Sequence, residues 1–251
     1  MGIGVFSYLT YSSVGVRYSI HCTRDRTWNF ATLESSKKNE HLGTCGPKCF
    51  FSFNMYNIYN VERFIFMIIA GIDYSLRSPC VCVFAGMEKE SFTFDKCTFH
   101  FLTDTKKYAT FFLKNIYGER FQDWNQDFQR YKSIADWTMD KIMGCEQIAI
   151  EGYSMGSKGK VFHIAENTGV LKYKIYNSGV PLEVVPPTTV KKFATGKGNA
   201  DKEQMHQAFM KDTGVDLRWK ITPDKTKIGN PVSDIVDAYY ICKHLHDGII
   251  D

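Results

Sequence analysis

From residue 67 onward the chain alternates short apolar runs with longer amphipathic segments, and the two periods separate strands from helices. Residues 67–73 (MIIAGID) form an apolar run closed by an acid, which predicts a buried central strand. Residues 79–85 (PCVCVFA) and 91–102 (SFTFDKCTFHFL) carry β-branched and aromatic residues in partial alternation, and predict two more strands in hairpin succession. Residues 121–143 hold no Gly or Pro and place Phe128, Tyr131, Ile134, Ala135, Thr138 and Ile142 at helical spacing. A fourth strand, 147–151 (QIAIE), again ends in an acid. The helix predicted at 158–177 gathers Val161, Ile164, Ala165, Thr168, Leu171 and Ile175 on one face and stops at Gly179 and Pro181. A fifth strand at 182–185 and helices at 200–211 and 231–246 follow, the last with Asn230 as cap and Pro231 at its first position. The expected class is α/β: a mixed five-stranded sheet flanked by helices.

Residues 1–66 follow neither period, although they are rich in Tyr, Phe, Ser and Asn. They are expected to be an extension outside the α/β domain of 67–251, disordered or foreign to the functional protein, with Met67 as the functional start. His41, Cys45 and Cys49, with His21 or Cys22, could be drawn as a zinc set. Their spacing is loose and no second close pair completes it, so unligated side chains are expected.

Composition narrows the classes. At 44% hydrophobic and 23% charged, the 251 residues can bury a core, which excludes a wholly disordered or collagen-like chain. The longest apolar run, 64–72, has nine residues, whereas a membrane helix needs roughly 20. With no Lys or Arg among the first sixteen residues, a soluble cytoplasmic protein without a membrane partner is expected. A net charge of +4 is too mild to signal nucleic acid, so any polyanion site must come from local clustering. The eight cysteines contain no C-x-x-C pair and read as reduced thiols.

Four acids carry the candidate chemistry. Asp73 and Glu151 each close an apolar strand, where a charge is costly unless paired, hydrated or bound to a metal. Asp234 and Asp237, three apart, share one face near the start of the last helix, whose positive end favours their ionised forms. Singly, each acid also reads as a turn former or helix-start residue. Four convergent carboxylates without a nearby His or Cys cluster instead select Mg²⁺ or Mn²⁺. Two such ions about 3.5–4 Å apart activate a water and stabilise the leaving oxygen of a phosphodiester.

Basic residues lie near these acids in sequence. Lys191 and Lys192 precede Gly196-Lys197-Gly198, and Lys202 follows. Small residues let a backbone approach phosphate, and clustered ammonium groups neutralise it. Neither GSKGK nor TGKG has the P-loop spacing, so no nucleotide cofactor is expected. Lys158 stands just beyond the Glu151 strand within reach of a phosphate, and Tyr153 could stack on an unpaired base or simply sit at a rim.

The segments GIDYSL (71–76), IEGYSMGSKGKVFHIAENTGVLKYKIY (150–176), PPTTVKKFATGKGNADK (186–202) and PVSDIVDAYYI (231–241) occur in order across 67–246. Together they resemble the phage branch of the RuvC-type Holliday junction resolvases, within the RNase H-like nuclease superfamily. The resemblance implies an RNase H-like sheet and a two-metal site of Asp73, Glu151, Asp234 and Asp237, with Asp73 as the bridge. It implies two Mg²⁺ ions, Mn²⁺ as a substitute, and a catalytic or DNA-gripping lysine within 186–202. Lys192 and Lys202 are the first candidates, Lys191 is hard to separate from Lys192, and Lys197 and Lys158 are further DNA contacts. It also implies a four-way DNA junction as substrate and a homodimer built through the 158–177 helix. A general branched-DNA or flap nuclease and a non-cleaving junction binder are the alternatives. Residues 103–130 look longer than in the bacterial enzymes and are expected to alter junction contacts or dimer geometry.

Overall fold

The computed structural model describes residues 66–153 and 161–250 in full, and the backbone of 10–13, 16–22 and 28–33. The chain divides into two compact units, Met1–Asn60 and Val61–Asp251. In the first, β1 (Thr10–Ser13), β2 (Val16–Cys22) and β3 (Trp28–Leu33) form a three-stranded antiparallel sheet in that order. This sheet was not expected. In β2, Val16, Tyr18 and Ile20 do alternate with Arg17, Ser19 and His21, a signal only seven residues long. The possible zinc set lies outside the described residues at His41, Cys45 and Cys49, and outside the described side chains at His21 and Cys22.

The second unit is built on seven strands: β4 (Phe66–Asp73), β5 (Cys80–Met87), β6 (Cys97–Thr103), β7 (Phe112–Leu113), β8 (Ile116–Arg120), β9 (Gln147–Glu151) and β10 (Leu182–Val185). Their order is β10-β9-β4-β5-β6-β8-β7, with β5 and β7 antiparallel to the other five. The expected five-stranded mixed sheet is present as β10-β9-β4-β5-β6, and β8 and β7 extend it to seven strands. The two added strands, β7 and β8, fall within the long 103–130 stretch, and β8 pairs parallel to β6. Two residues of β7 and the charged, glycine-containing IYGER of β8 leave little strand signal in the sequence. The third predicted strand is also shorter at its start, because Phe94–Lys96 wind into a 3₁₀ turn and β6 opens at Cys97.

Helices cover both faces. α1 (Asp127–Lys141) and α2 (Val161–Ser178) pack on one side, where Ala70, Ile72, Ile148 and Ile150 meet Ile134, Leu171 and Ile175. On the other side lie α3 (Pro187–Thr195), α4 (Lys202–Thr213), α5 (Leu217–Ile221) and α6 (Val232–Ile250), over Ile69, Cys82, Phe84 and Phe99. The short α3 and α5 were not anticipated. Pro187 in its first turn and Gly196 in the left-handed region (φ 78°) bound α3. A capping box between Asp201 and Gln204 opens α4.

A close backbone approach joins α6 to the central strand. A Cβ placed on Gly71 would lie 2.2 Å from the Cys242 backbone nitrogen and 2.7 Å from the Ala238 carbonyl oxygen. Only glycine admits that contact. Among the described residues, no helix is long and apolar enough to cross a membrane.

Candidate active site

Parallel pairing of β4 and β9 sets Ile72 opposite Ile150, so Asp73 and Glu151 emerge side by side at the carboxyl ends of the two strands. The chain continues from β4 to β5 on one side and returns to β9 on the other, the kind of switch point where open α/β sheets bind ligands. α6 runs back along β4. Its Ala238 and Cys242 lie over Gly71, and its first turns bring Asp234 and Asp237 to Asp73. The four acids line one cavity of about 570 Å³, together with Tyr74, Ser75, Arg77, Arg130, Tyr153, Lys191, Lys202 and Asn230.

Burial raises all four carboxyls, and repulsion from neighbouring carboxylates adds to the rise of Asp73, Glu151 and Asp234. Burial is the largest cause for Asp73, followed by Asp234, Glu151 and Asp237, and only Lys202 opposes it. Glu151 is pushed up to about 7 by burial and Asp237, against Lys191. Burial takes Asp234 to about 7 against the Ser78 hydroxyl and Lys202, with Asp237 adding to the rise. It takes Asp237 to about 6 against Lys202 and Lys191. Such a site is stabilised by added positive charge, and its oxygen-only donor set fits a hard divalent cation. Among the described residues, no three His, Cys, Asp or Glu side chains converge closely enough to enclose an ion by themselves. The carboxylates share the cavity without meeting at a point.

Asp234 is held differently from the others. The Ser78 hydroxyl donates to its Oδ2, and Ser233 Oγ lies 3.3 Å from its Oδ1. Ser233 Oγ is also 3.2 Å from Asn230 Oδ1 and accepts from Lys202 Nζ at 3.1 Å. The Ser78 backbone nitrogen in turn donates to Ser75 Oγ at 3.0 Å. Sequence reasoning missed Ser78. The available signal was its place two residues before Cys80, the β5 residue that pairs with Asp73.

The predicted lysines separate in space. Lys191 and Lys202 line the cavity and bear on the acids, whereas Lys192 is exposed and outside the lining. Of the two α3 lysines, Lys191 lines the cavity and Lys192 does not, because successive helical residues point about 100° apart. Lys197 is exposed beyond α3 and also outside the lining, while Lys158 lies outside the described residues. Tyr153 stands at the rim, 46% exposed, with Lys172 Nζ 5.4 Å from its ring centroid. Arg130, unremarked in the sequence, reaches the cavity from α1. Its guanidinium lies 4.4 Å from the Trp124 ring centroid and donates to the Leu76 carbonyl oxygen at 2.5 Å.

Residues 128–228 match the family described as crossover junction endodeoxyribonuclease RuvC. That stretch contains Glu151, Lys191 and Lys202 but not Asp73, Asp234 or Asp237, which the fold brings to it. Among solved structures, Thermus thermophilus RuvC is 17% identical over 72% of this chain and 95% of its own, with a TM-score of 0.47. T. thermophilus RuvC in complex with a Holliday junction substrate is 15% identical over 73% and 97%, with a TM-score of 0.48. The yeast mitochondrial Holliday junction resolvase Ydc2 is 15% identical over 73% and 79%, with a TM-score of 0.44. No curated protein matches.

Proposed function

We propose that this protein is a metal-dependent endonuclease that resolves four-way DNA junctions, of the phage RuvC type. One observation carries the reading: two strand-end acids and two α6 acids share a cavity walled by Lys191 and Lys202. The RuvC family match over residues 128–228 supports it. Asp73, Glu151, Asp234 and Asp237 would hold Mg²⁺, with Mn²⁺ as a substitute. Bound divalent cations supply an activated water and a counter-charge for the leaving oxygen of a phosphodiester. Lys191 and Lys202 meet the oxygens of the scissile phosphate and draw DNA against an otherwise repulsive floor. Tyr153 offers a stacking face at the rim.

Two symmetric cuts need two sites, and a two-fold dimer supplies them. α2 presents an exposed stripe for such a contact: Phe162 at 80%, Tyr173 at 67% and Tyr176 at 81% exposed, spaced for one helix face. The test is nicking of a synthetic four-way junction beside linear duplex, flap and fork, with and without Mg²⁺. Paired nicks confined to the junction and dependent on Mg²⁺ are expected. Equal cutting of flaps and forks would make this a general debranching nuclease, and binding without cutting would make it a junction binder.

A further inference from the structure

A second cationic surface leads away from the catalytic cavity. Asn230, on the cavity wall, accepts a hydrogen bond on its backbone oxygen from Lys225 Nζ at 3.4 Å. Lys225 Nζ and Lys107 Nζ each lie 5.7 Å from the centroid of the Tyr108 ring. The buried Tyr108 is thus a fixed platform that holds two ammonium groups by its π face. Lys106 and Lys227 flank them in sequence, and all four lysines are exposed. Among the described residues, Asp224 is the only acid paired with any of the four, bonding Lys107 at 3.2 Å. An exposed pair of that kind holds its lysine weakly.

Both turns that carry these lysines are anchored. The 3₁₀ turn Lys106–Tyr108 sits on β8, where a Cβ on Gly118 would lie 2.1 Å from the Tyr108 carbonyl oxygen. Phe111 N donates to Tyr108 O at 3.2 Å, and Gly118 N to Phe111 O at 2.8 Å. The other turn is closed by Lys225 N to Thr222 O at 2.9 Å and pinned by Ile228 N to Glu203 Oε1 at 2.6 Å. Arg218 ties it to α5 through the Thr226 carbonyl oxygen at 3.4 Å. Fixed ammonium groups lose less freedom on meeting a partner than lysines on a loose loop.

We propose that Lys107 and Lys225, flanked by Lys106 and Lys227, form a track for the phosphate backbone of a duplex arm leaving the active site. The inference rests on the nuclease reading and extends it. Part of the track comes from the long 103–130 stretch, which gives those residues a role in arm binding beyond enlarging the sheet. The track acts on affinity and not on the chemical step, because it lies outside the acids and their lysines.

The test compares the full chain with a Lys107→Gln/Lys225→Gln variant on four-way junctions whose arms are long or cut to about 6 base pairs, roughly 20 Å at 3.4 Å per step. Binding is measured without divalent cation over a range of salt, and single-turnover nicking with Mg²⁺ at saturating protein. The native chain is expected to prefer long arms. The variant should lose that preference, with a log–log salt slope shallower by about 1.8 for two lost phosphate contacts. Its short-arm affinity, melting temperature and saturated nicking rate should stay native, and Lys107→Arg/Lys225→Arg should restore long-arm binding. Native affinity and slope in the Gln variant overturn the track, as does an equal loss on both arm lengths. Absence of junction binding by the native chain itself would instead overturn the nuclease reading.

Discussion

Asp234 meets any cation with both oxygens already engaged, by Ser78 on one side and Ser233 on the other. Groups that orient a ligating carboxylate typically contribute about 10–100-fold to metal affinity or activity. Ser78→Ala should therefore raise the Mg²⁺ concentration needed for half-maximal nicking by about that factor, with most of the rate recovered at saturation. Asp73→Asn should lose several orders of magnitude at any Mg²⁺ concentration while junction binding persists; a Mg²⁺ titration of both variants separates the two roles. The raised carboxyls also fix a pH dependence. Glu151 and Asp234 near 7 and Asp237 near 6 hold protons that the unfolded chain releases near 4. The native state therefore binds more protons between those values, and stability without divalent cation falls as pH rises from about 4 to about 7. Melting temperatures should decline across that window, and Asp234→Asn should flatten the decline. The acids were legible in the sequence because a charge closing an apolar run is conspicuous. The choice of Lys191 over Lys192 was not, since it depends on residues 187–195 coiling into a helix whose polar pattern resembles a loop.

Between elements, the decisive contact is α6 on β4 at Gly71. Any side chain there meets helix backbone, which cannot swing aside as the end of a flexible side chain would. Gly71→Ala should lower stability by about 1–3 kcal/mol, the usual cost of overpacking. It should also depress nicking, because lifting α6 carries Asp234 and Asp237 away from Asp73. Denaturant melts and Mg²⁺ titrations on one sample would show both effects; native activity with native stability would contradict this coupling. Long periodic elements were readable: β9 and β10 match the sequence expectation residue for residue, and α1, α2, α4 and α6 within a few residues at most ends. The misses in the second unit, β7, β8, α3 and α5, have two to nine residues. Elements of that length form by pairing with an existing sheet or by docking on α4 and α6, so their cause lies in tertiary structure.

At the scale of the whole chain, the unit boundary at Asn60 and Val61 falls close to Met67, where the apolar period begins. A chain starting at Met67 would forgo in β4 only Phe66, which is 54% exposed and pairs with Met87 at the strand's outer end. The 67–251 protein is expected to melt and nick like the full chain, and insolubility or inactivity of the short form would make residues 1–66 structural. The placement of α6 has a consequence for biosynthesis. Asp73 leaves the ribosome roughly 160 residues before Asp234 and Asp237, a delay of ~8–32 s at 5–20 residues per second. Until then the face of β4 around Gly71 has no helix over it, and the acidic cavity lacks two of its four carboxylates. A nascent or prematurely terminated chain thus lacks the complete four-acid cavity, and the proposed nuclease activity is expected only once synthesis has passed α6.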